Sequence, residues 1–315
     1  MRAAIVNSFN NPPAFGTYVE PLAGNGETVV RVLAAPLSPL VRSLAAGKHY
    51  SGGGAAHFVP GIDGVGLDEQ GRRVYFLFPT SPFGSMAEQS LVATTSVVPV
   101  PEGVDDALAA SVVTAGLSSW VALHERAAFL RGEAVLINGA TGSAGGLAVQ
   151  IATYLGASRI IATGRDKAKL KAMPAHVETI AMDSEADAAL TEAFAGRVDV
   201  VLDYLWGEPA SRVLAAATRG RGSRAGEPRV RYVQIGSIAG ESILMSGASL
   251  RSSGVEILGS GIGSLSMQAL VAGAQGLLAA LPEGRFTTPF RTMPLEAVAD
   301  AWADTSDECR LVLCP

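Results

Sequence analysis

Residues 135–150, VLINGATGSAGGLAVQ, set an apolar run directly before a cluster of glycines, and an apolar pattern of a different period follows. The predicted strand Ala134–Asn138 leads into Gly139, Gly142 and Gly145, which recur at three-residue spacing. After the turn, one face of a predicted helix is apolar, at positions 144, 147, 148, 151, 152 and 155. Free backbone N–H groups and the positive end of the helix dipole therefore meet at the glycines, where a pyrophosphate can bind.

Glycines suit a phosphate site because a Cβ would block both the tight turn and the close approach of the ligand. A tight turn without a ligand is the alternative, but the following segment favours a nucleotide site. The next predicted strand, Arg159–Thr163, arrives at the distance expected in a βαβ unit, and strands alternate with helices from 134 to about 240. We therefore expect a parallel sheet and a dinucleotide site that contains Thr141, Gly142, Ser143, Ala144 and Gly145.

The end of the second strand indicates which dinucleotide binds. NAD sites carry Asp or Glu there for the ribose 2′-hydroxyl, whereas this chain has Thr163-Gly164-Arg165. The Arg165 guanidinium can bind a 2′-phosphate at two points, with Lys169 one turn further on, although Arg165 can also be a solvated surface charge. Asp166 has two interpretations, a displaced ribose ligand or the N-cap of the next helix. The pattern favours NADP(H) over NAD(H), with Gly164, Arg165 and Lys169 in the cofactor site.

The rest of the chain divides around this nucleotide-binding region. Up to about residue 105, short apolar runs are broken by Gly and Pro, which predicts strands and turns. The segment from about 105 to 130 is rich in Ala and Leu and predicts a helix. After about 258 the composition returns to that of the first region. The predicted division is therefore 1–113, 114–258 and 259–315.

Composition limits the classes of partner. The 315 residues are 48% hydrophobic and 17% charged, with a formal net charge of -5 and no dense Lys/Arg block, so we expect no nucleic acid partner. Only Cys309 and Cys314 are present, which excludes a disulfide framework and a four-cysteine zinc lobe. No run of 18 apolar residues and no signal-like N-terminus occurs, so we expect a cytoplasmic protein without a membrane partner.

Four segments carry a resemblance to a known family. Residues 60–66 (PGIDGVG) are similar to its PGxDxAG signature, 82–92 (PFGSMAEQSLV) to GxFAEYxxV and 115–123 (AGLSSWVAL) to GLTAYxAL, while the glycine turn is similar to HGAxGGVG. On these motifs, the chain resembles the medium-chain dehydrogenase/reductase superfamily, in its zinc-free quinone oxidoreductase (zeta-crystallin-like) branch. The resemblance implies an α/β fold, with a GroES-like β-rich catalytic domain, a Rossmann doubly wound parallel-sheet NADP-binding domain and a C-terminal return to the catalytic domain. It also implies a homodimer.

The resemblance also indicates where zinc-dependent relatives hold their catalytic metal. The matching places here read Leu37-Ser38, Gly61-Ile62-Asp63 and roughly Thr114, which lack the Cys and His ligands that a catalytic zinc needs. We therefore expect no metal. Without a metal to polarise a carbonyl, the site suits hydride transfer from NADPH to a quinone or an α,β-unsaturated carbonyl (enone), because conjugation already spreads the charge.

Further site residues follow from the same resemblance. Ser118 stands where the family has the Thr of GLTAY, Gly236-Ser237 close the strand VRYVQIG, and Ser38 stands where the branch usually has Asn. Tyr50 is either a proton donor or an amphipathic loop residue. Ser38, Tyr50 and Ser118 are therefore the candidate catalytic residues, and Gly236 and Ser237 join the cofactor residues.

Two alternatives to a quinone or enone reductase stay open. Ser38 and Val41 replace the family's Asn and Asp, which leaves room for an NADPH-binding sensor or structural protein with little turnover. A reductase of enoyl thioesters or of a biosynthetic enone keeps the chemistry but changes the substrate. A short-chain reductase, suggested by the GATG at 139–142, is disfavoured because no Tyr has a Lys four residues later.

Overall fold

The computed structural model of the chain describes residues 1–51, 55–306 and 308–315. It consists of two compact units, one formed by Met1–Leu117 with Ser266–Pro315 and the other by Ser118–Leu265. The division predicted from the sequence lies a few residues before each of these boundaries. Each unit has its own apolar core.

The strands, in chain order, are β1 (Arg2–Ile5), β2 (Ala14–Thr17), β3 (Glu27–Leu37), β4 (Asp63–Leu67), β5 (Arg73–Leu77), β6 (Gln89–Ala93), β7 (Val97–Pro99), β8 (Ala134–Asn138), β9 (Arg159–Gly164), β10 (Val177–Ala181), β11 (Val200–Asp203), β12 (Val230–Gln234), β13 (Val255–Gly259), β14 (Phe290–Pro294) and β15 (Arg310–Cys314). The helices are α1 (Pro39–Ala45), α2 (Asp106–Val121), α3 (Ser143–Leu155), α4 (Lys167–Lys171), α5 (Ala186–Ala195), α6 (Gly207–Thr218), α7 (Gly247–Arg251), α8 (Met267–Gly284) and α9 (Val298–Ala303).

The unit Ser118–Leu265 is built on a six-stranded parallel sheet in the order β10-β9-β8-β11-β12-β13. Its central strands β8, β9 and β11 are mainly apolar and buried because helices cover the sheet, as is usual for parallel sheets. Leu136, Ile161 and Val201 pack with apolar residues of α5 and α6, while α3 contacts β8 and β9. The strand order reverses between β8 and β11, and this switch point is where open α/β sheets bind their ligands.

The other unit contains a seven-stranded sheet in the order β14-β15-β3-β4-β5-β7, with β6 also paired to β3. The long strand β3 pairs antiparallel with β15, β4 and β6, so the C-terminal strand completes the sheet of the N-terminal segment. Its core includes Val30, Val32, Phe76 and Leu313. A parallel Rossmann-like sheet and a separate, mainly antiparallel sheet confirm the predicted fold class.

One helical segment among the described residues, Asp106–Arg126, is long and apolar enough to cross a membrane by length and composition alone. It has 21 residues with a mean hydropathy of 1.4, and it comprises α2 and the π-helical turn 122–126. Its most apolar window is 78% buried inside the protein. Such burial is typical of a core helix, so the segment is weak evidence for a membrane span.

Candidate functional site

The glycine turn after β8 has a backbone that only glycine readily adopts. Gly139 has φ +96°, a left-handed conformation that costs other residues steric strain. A Cβ added there would lie 3.0 Å from Cγ of Leu205. The N–H groups of Gly139 and Ala140 donate to the carbonyl of Thr163 at 3.2 Å and 2.9 Å, which ties the turn to the end of β9.

The helix α3 starts directly from this turn. Its N-cap is Gly142, which offers no side chain to the N–H groups of the first helical turn, Ser143, Ala144 and Gly145. A Cβ at Gly145 would lie 2.2 Å from the carbonyl oxygen of Gly139, so glycine allows the helix to approach the turn. Uncapped N–H groups and the helix dipole at one place suit an anion, and they belong to the residues named from the sequence.

The end of β9, on one side of the switch point, carries exposed cations. Arg165 and Lys169 are exposed, and neither forms an ion pair within the described residues. Lys167, in contrast, pairs with Asp183 at 2.8 Å. Asp166 is the N-cap of α4, because its carboxylate accepts hydrogen bonds from the N–H groups of Ala168 (2.9 Å) and Lys169 (3.0 Å). Of its two interpretations, the structure shows the helix cap.

The ends of β11 and β12 form the other side of the switch point. The N–H groups of Ile235 and Gly236 donate to the carbonyl of Asp203 at 2.8 Å and 3.1 Å. A Cβ at Gly236 would lie 2.6 Å from the carbonyl oxygen of Tyr204, so the two strand ends are in close contact. Gly236 and Ser237 therefore lie at the same edge of the sheet as the glycine turn.

A buried polar network, which the sequence did not predict, crosses three neighbouring strands at this edge. The Asn138 side-chain amide donates to Oδ1 of Asp203 at 2.8 Å, and the Thr163 hydroxyl donates to Oδ1 of Asn138 at 2.8 Å. All three side chains are fully buried. Burial raises the pKa of Asp203 above its usual range, while hydrogen bonds from Leu205 N–H and neighbouring groups act against that rise. In the sequence, each of these positions is a polar residue at or near the end of an apolar strand, and this pattern could have indicated them.

Ser118 lies on α2 in the same unit as the glycine turn. Burial raises the pKa of Tyr204 to about 12, and the hydroxyls of Ser119 and Ser118 lie close enough to act against that rise. Tyr204 directly follows β11, so Ser118 lies near the first side chain after the strand that ends at the switch point.

Ser38 and Tyr50 lie in the other unit and differ in exposure. Ser38 is buried and is the N-cap of α1, with its Oγ accepting a hydrogen bond from Val41 N–H at 3.2 Å. Tyr50 is 73% exposed, and its ring centroid lies 4.2 Å from that of His49. The structure therefore gives Ser38 a capping role, whereas the Tyr50 side chain faces solvent.

The places that match the metal ligands of zinc-dependent relatives contain a buried carboxylic acid. The hydroxyls of Tyr75 and Thr114 lie within hydrogen-bonding reach of Oδ2 of Asp63. Burial raises the pKa of Asp63 to about 6, although these hydroxyls and the charge of Arg310 act against the rise. Within residues 1–51, 55–306 and 308–315, no three His, Cys, Asp or Glu side chains cluster as a metal site would require. The prediction that no metal binds stays a prediction.

The residues at the switch point fit a phosphorylated dinucleotide. A helix N-terminus without a capping side chain offers N–H donors to a pyrophosphate. One helix and one strand later, Arg165 offers an exposed guanidinium, and no Asp or Glu stands before it at the end of β9 to repel a 2′-phosphate.

No family model matches the chain. A probable NADPH-dependent quinone reductase from Emericella nidulans is 29% identical, and the match covers 100% of both chains. The quinone oxidoreductase of Thermus thermophilus, whose complex with NADPH has also been solved, is 28% identical, covers 100% of both chains and has a TM-score of 0.81. A shorter match is to a phenolphthiocerol/phthiocerol polyketide synthase of Mycobacterium tuberculosis, 34% identical over 156 residues. That match spans 48% of this chain and 7% of the much longer synthase.

Proposed function

Because the chain belongs to the quinone oxidoreductase branch of the medium-chain dehydrogenase/reductase superfamily, we propose that it transfers a hydride from NADPH to a quinone or an enone. The observation that carries the proposal is the uncapped helix N-terminus and glycine turn at the switch point of the parallel sheet. Full-length similarity to two quinone reductases supports the reaction type.

In the proposed site, the chain's own residues hold the cofactor and orient it. The backbone N–H groups of Ser143, Ala144 and Gly145 bind the pyrophosphate, and Arg165 with Lys169 binds the 2′-phosphate. Gly236 and Ser237 flank the nicotinamide half, because they follow β12 on the other side of the switch point. NADPH supplies the hydride when it is bound. Fixing its position relative to the acceptor then supplies much of the rate acceleration.

The choice of acceptor follows from the side chains that the site lacks. Leu37, Ser38 and Ile62 replace the Cys and His that hold zinc in zinc-dependent relatives, so the proposed reaction proceeds without zinc. An acceptor must then delocalise the incoming electron pair by itself, as quinones and enones do. Ser38, Tyr50 and Ser118 remain the candidate residues for the acceptor end of the site.

A second candidate function is the reduction of enoyl thioesters. It is supported by the 34% identity to a polyketide synthase over 48% of the chain. The residue assignments for the cofactor are the same in both cases. Only the acceptor differs.

The experiment that tests the function is NADPH consumption with a panel of acceptors. Purified protein is mixed with NADPH and, separately, with quinones, simple enones and enoyl thioesters, and the loss of NADPH absorbance is followed. We expect turnover on the order of 1 s⁻¹ or faster with at least one quinone or enone. Faster turnover of enoyl thioesters would select the second function.

The same panel separates an enzyme from a sensor or structural protein. If NADPH binds tightly and no acceptor consumes it, the oxidoreductase proposal is wrong. We further propose that the protein is cytoplasmic and a homodimer, without nucleic acid or membrane partners. Light scattering of the purified protein tests the dimer.

A further inference from the structure

The connection between β11 and α6, called here the 203–207 loop because it runs from the last residue of β11 to the first residue of α6, is held by one buried carboxylate. Asp203 is fully buried, and its Oδ1 accepts hydrogen bonds from the Asn138 amide (2.8 Å) and from Leu205 N–H (3.0 Å). Its Oδ2 accepts from Trp206 N–H at 3.2 Å. Asp203 therefore joins the end of β8 to two successive N–H groups of the loop.

The loop backbone has a sparsely populated conformation that costs free energy. Trp206 has φ +54° and ψ -159°, a region that is essentially restricted to glycine. The next residue, Gly207, has φ +59°, and a Cβ there would lie 2.7 Å from the carbonyl oxygen of Ala239. Ala239 N–H in turn donates to the Leu205 carbonyl at 2.8 Å. Hydrogen bonds on both sides thus hold a strained loop, and such strain concentrates at functional sites.

The strained conformation places Leu205 over the glycine turn. The Leu205 side chain lies beside the position that a Cβ at Gly139 would take, with its Cγ and Cδ2 each 3.0 Å from that position. Gly139 is also the residue whose φ is +96°. Leu205 therefore packs directly against the backbone that begins the pyrophosphate site.

We propose that Asp203 is a positioning residue for the cofactor: through Asn138 and the 203–207 loop, it keeps Leu205 against Gly139 and the glycine turn in its binding conformation. This inference rests on the proposed function, which puts NADPH at that turn. The Asp203 side chain is itself fully buried. Its effect on affinity passes through the loop and the turn.

The opposite end of the same two strands, β8 and β11, provides a matched control. Asp199 precedes β11, and its Oδ2 accepts a hydrogen bond from Ala134 N–H, at the start of β8, at 2.8 Å. Asp199 and Asp203 therefore link the same two strands, one at each end. Only Asp203 lies at the edge that carries the glycine turn.

The test compares NADPH dissociation constants, measured by titration of NADPH fluorescence without any acceptor, for Asp203→Asn and Asp199→Asn. Thermal unfolding is measured on the same samples. Removal of a charge-assisted acceptor from Leu205 and Trp206 is expected to weaken NADPH binding about tenfold in Asp203→Asn. Asp199→Asn is expected to lower the unfolding temperature while NADPH affinity changes less than about twofold.

A second pair of variants tests the proposal if Asp203→Asn does not fold. Leu205→Ala removes the side chain over Gly139 and is expected to weaken NADPH binding, whereas Leu205→Met keeps the volume and is expected to retain it. Equal affinity of wild type, Asp203→Asn and Leu205→Ala would overturn the inference, as would equal losses at Asp199 and Asp203. Failure of the wild type to bind NADPH would instead overturn the proposed function.

Discussion

Asp63 illustrates how strongly burial changes a single ionisable group. Burial raises its pKa to about 6 from an ordinary value of 3.8, while Tyr75 and Thr114 favour the ionised form. Ionisation of Asp63 in the folded protein is therefore harder than in the unfolded chain. Well below pH 4 the group is protonated in both states and has no effect on the pH dependence of stability.

This shift predicts a loss of stability as the pH rises from about 4 through 6. The loss approaches about 3 kcal/mol above pH 6, where the folded protein must hold a buried carboxylate. In Asp63→Asn this part of the pH dependence is expected to disappear. Thermal unfolding of both proteins at pH 5 and pH 8 tests the prediction. Identical pH dependence in wild type and variant would show that Asp63 is not the responsible group.

Residue-scale features differ in how far the sequence alone predicts them. The glycines at 139, 142 and 145 were predicted as a phosphate turn because their spacing and flanking periods are local. The Asn138–Asp203 hydrogen bond joins residues 65 positions apart, so no local pattern indicates it. Leu205 over Gly139 depends on the same distant pairing of strands. The candidate roles of Ser38, Tyr50 and Ser118 stay predictions.

Among the elements, helix α4 offers a test of whether Asp166 acts as a helix cap or as a ribose ligand. Loss of the cap in Asp166→Ala is expected to cost about 0.5–2 kcal/mol of stability, because Ala168 and Lys169 N–H groups lose their acceptor. NADPH affinity is expected to be retained. Denaturant unfolding and NADPH titration measure the two effects.

Ser266→Ala is the matched control for this prediction. The Ser266 hydroxyl caps α8 by accepting a hydrogen bond from Ala269 N–H at 3.1 Å, in the other unit. Both variants are expected to lose stability without a change in NADPH affinity. A large loss of NADPH affinity in Asp166→Ala but not in Ser266→Ala would show that Asp166 binds the ribose.

Secondary structure near the glycine turn was predicted well because its signals are periodic and short in range. The predicted strand Ala134–Asn138 is β8, and the predicted strand Arg159–Thr163 is β9 without its last residue. The strand order of the sheet was not predictable in the same way. Alternation of strands and helices indicates parallel pairing, but it does not state which strands are neighbours.

At the scale of the whole molecule, two units divide the structural tasks. Ser118–Leu265 contains the parallel sheet with the glycine turn, Arg165 and the 203–207 loop. Met1–Leu117 and Ser266–Pro315 share one sheet because β15 pairs with β3. The compositional return after about residue 258 indicated that the C-terminal segment is similar to the first region. The pairing of β15 with β3 could not be predicted from composition and is seen only in the structure.

We expect this fold to bind NADPH in preference to NADH through Arg165. The direct measurement is the pair of dissociation constants for NADPH and NADH, determined for wild type, Arg165→Ala and Lys167→Ala. Lys167 is the control because Asp183 already pairs with its ammonium group at 2.8 Å. We expect the wild type and Lys167→Ala to prefer NADPH and Arg165→Ala to lose at least about tenfold of that preference. Equal affinities of the wild type for NADPH and NADH would show that Arg165 does not select the 2′-phosphate.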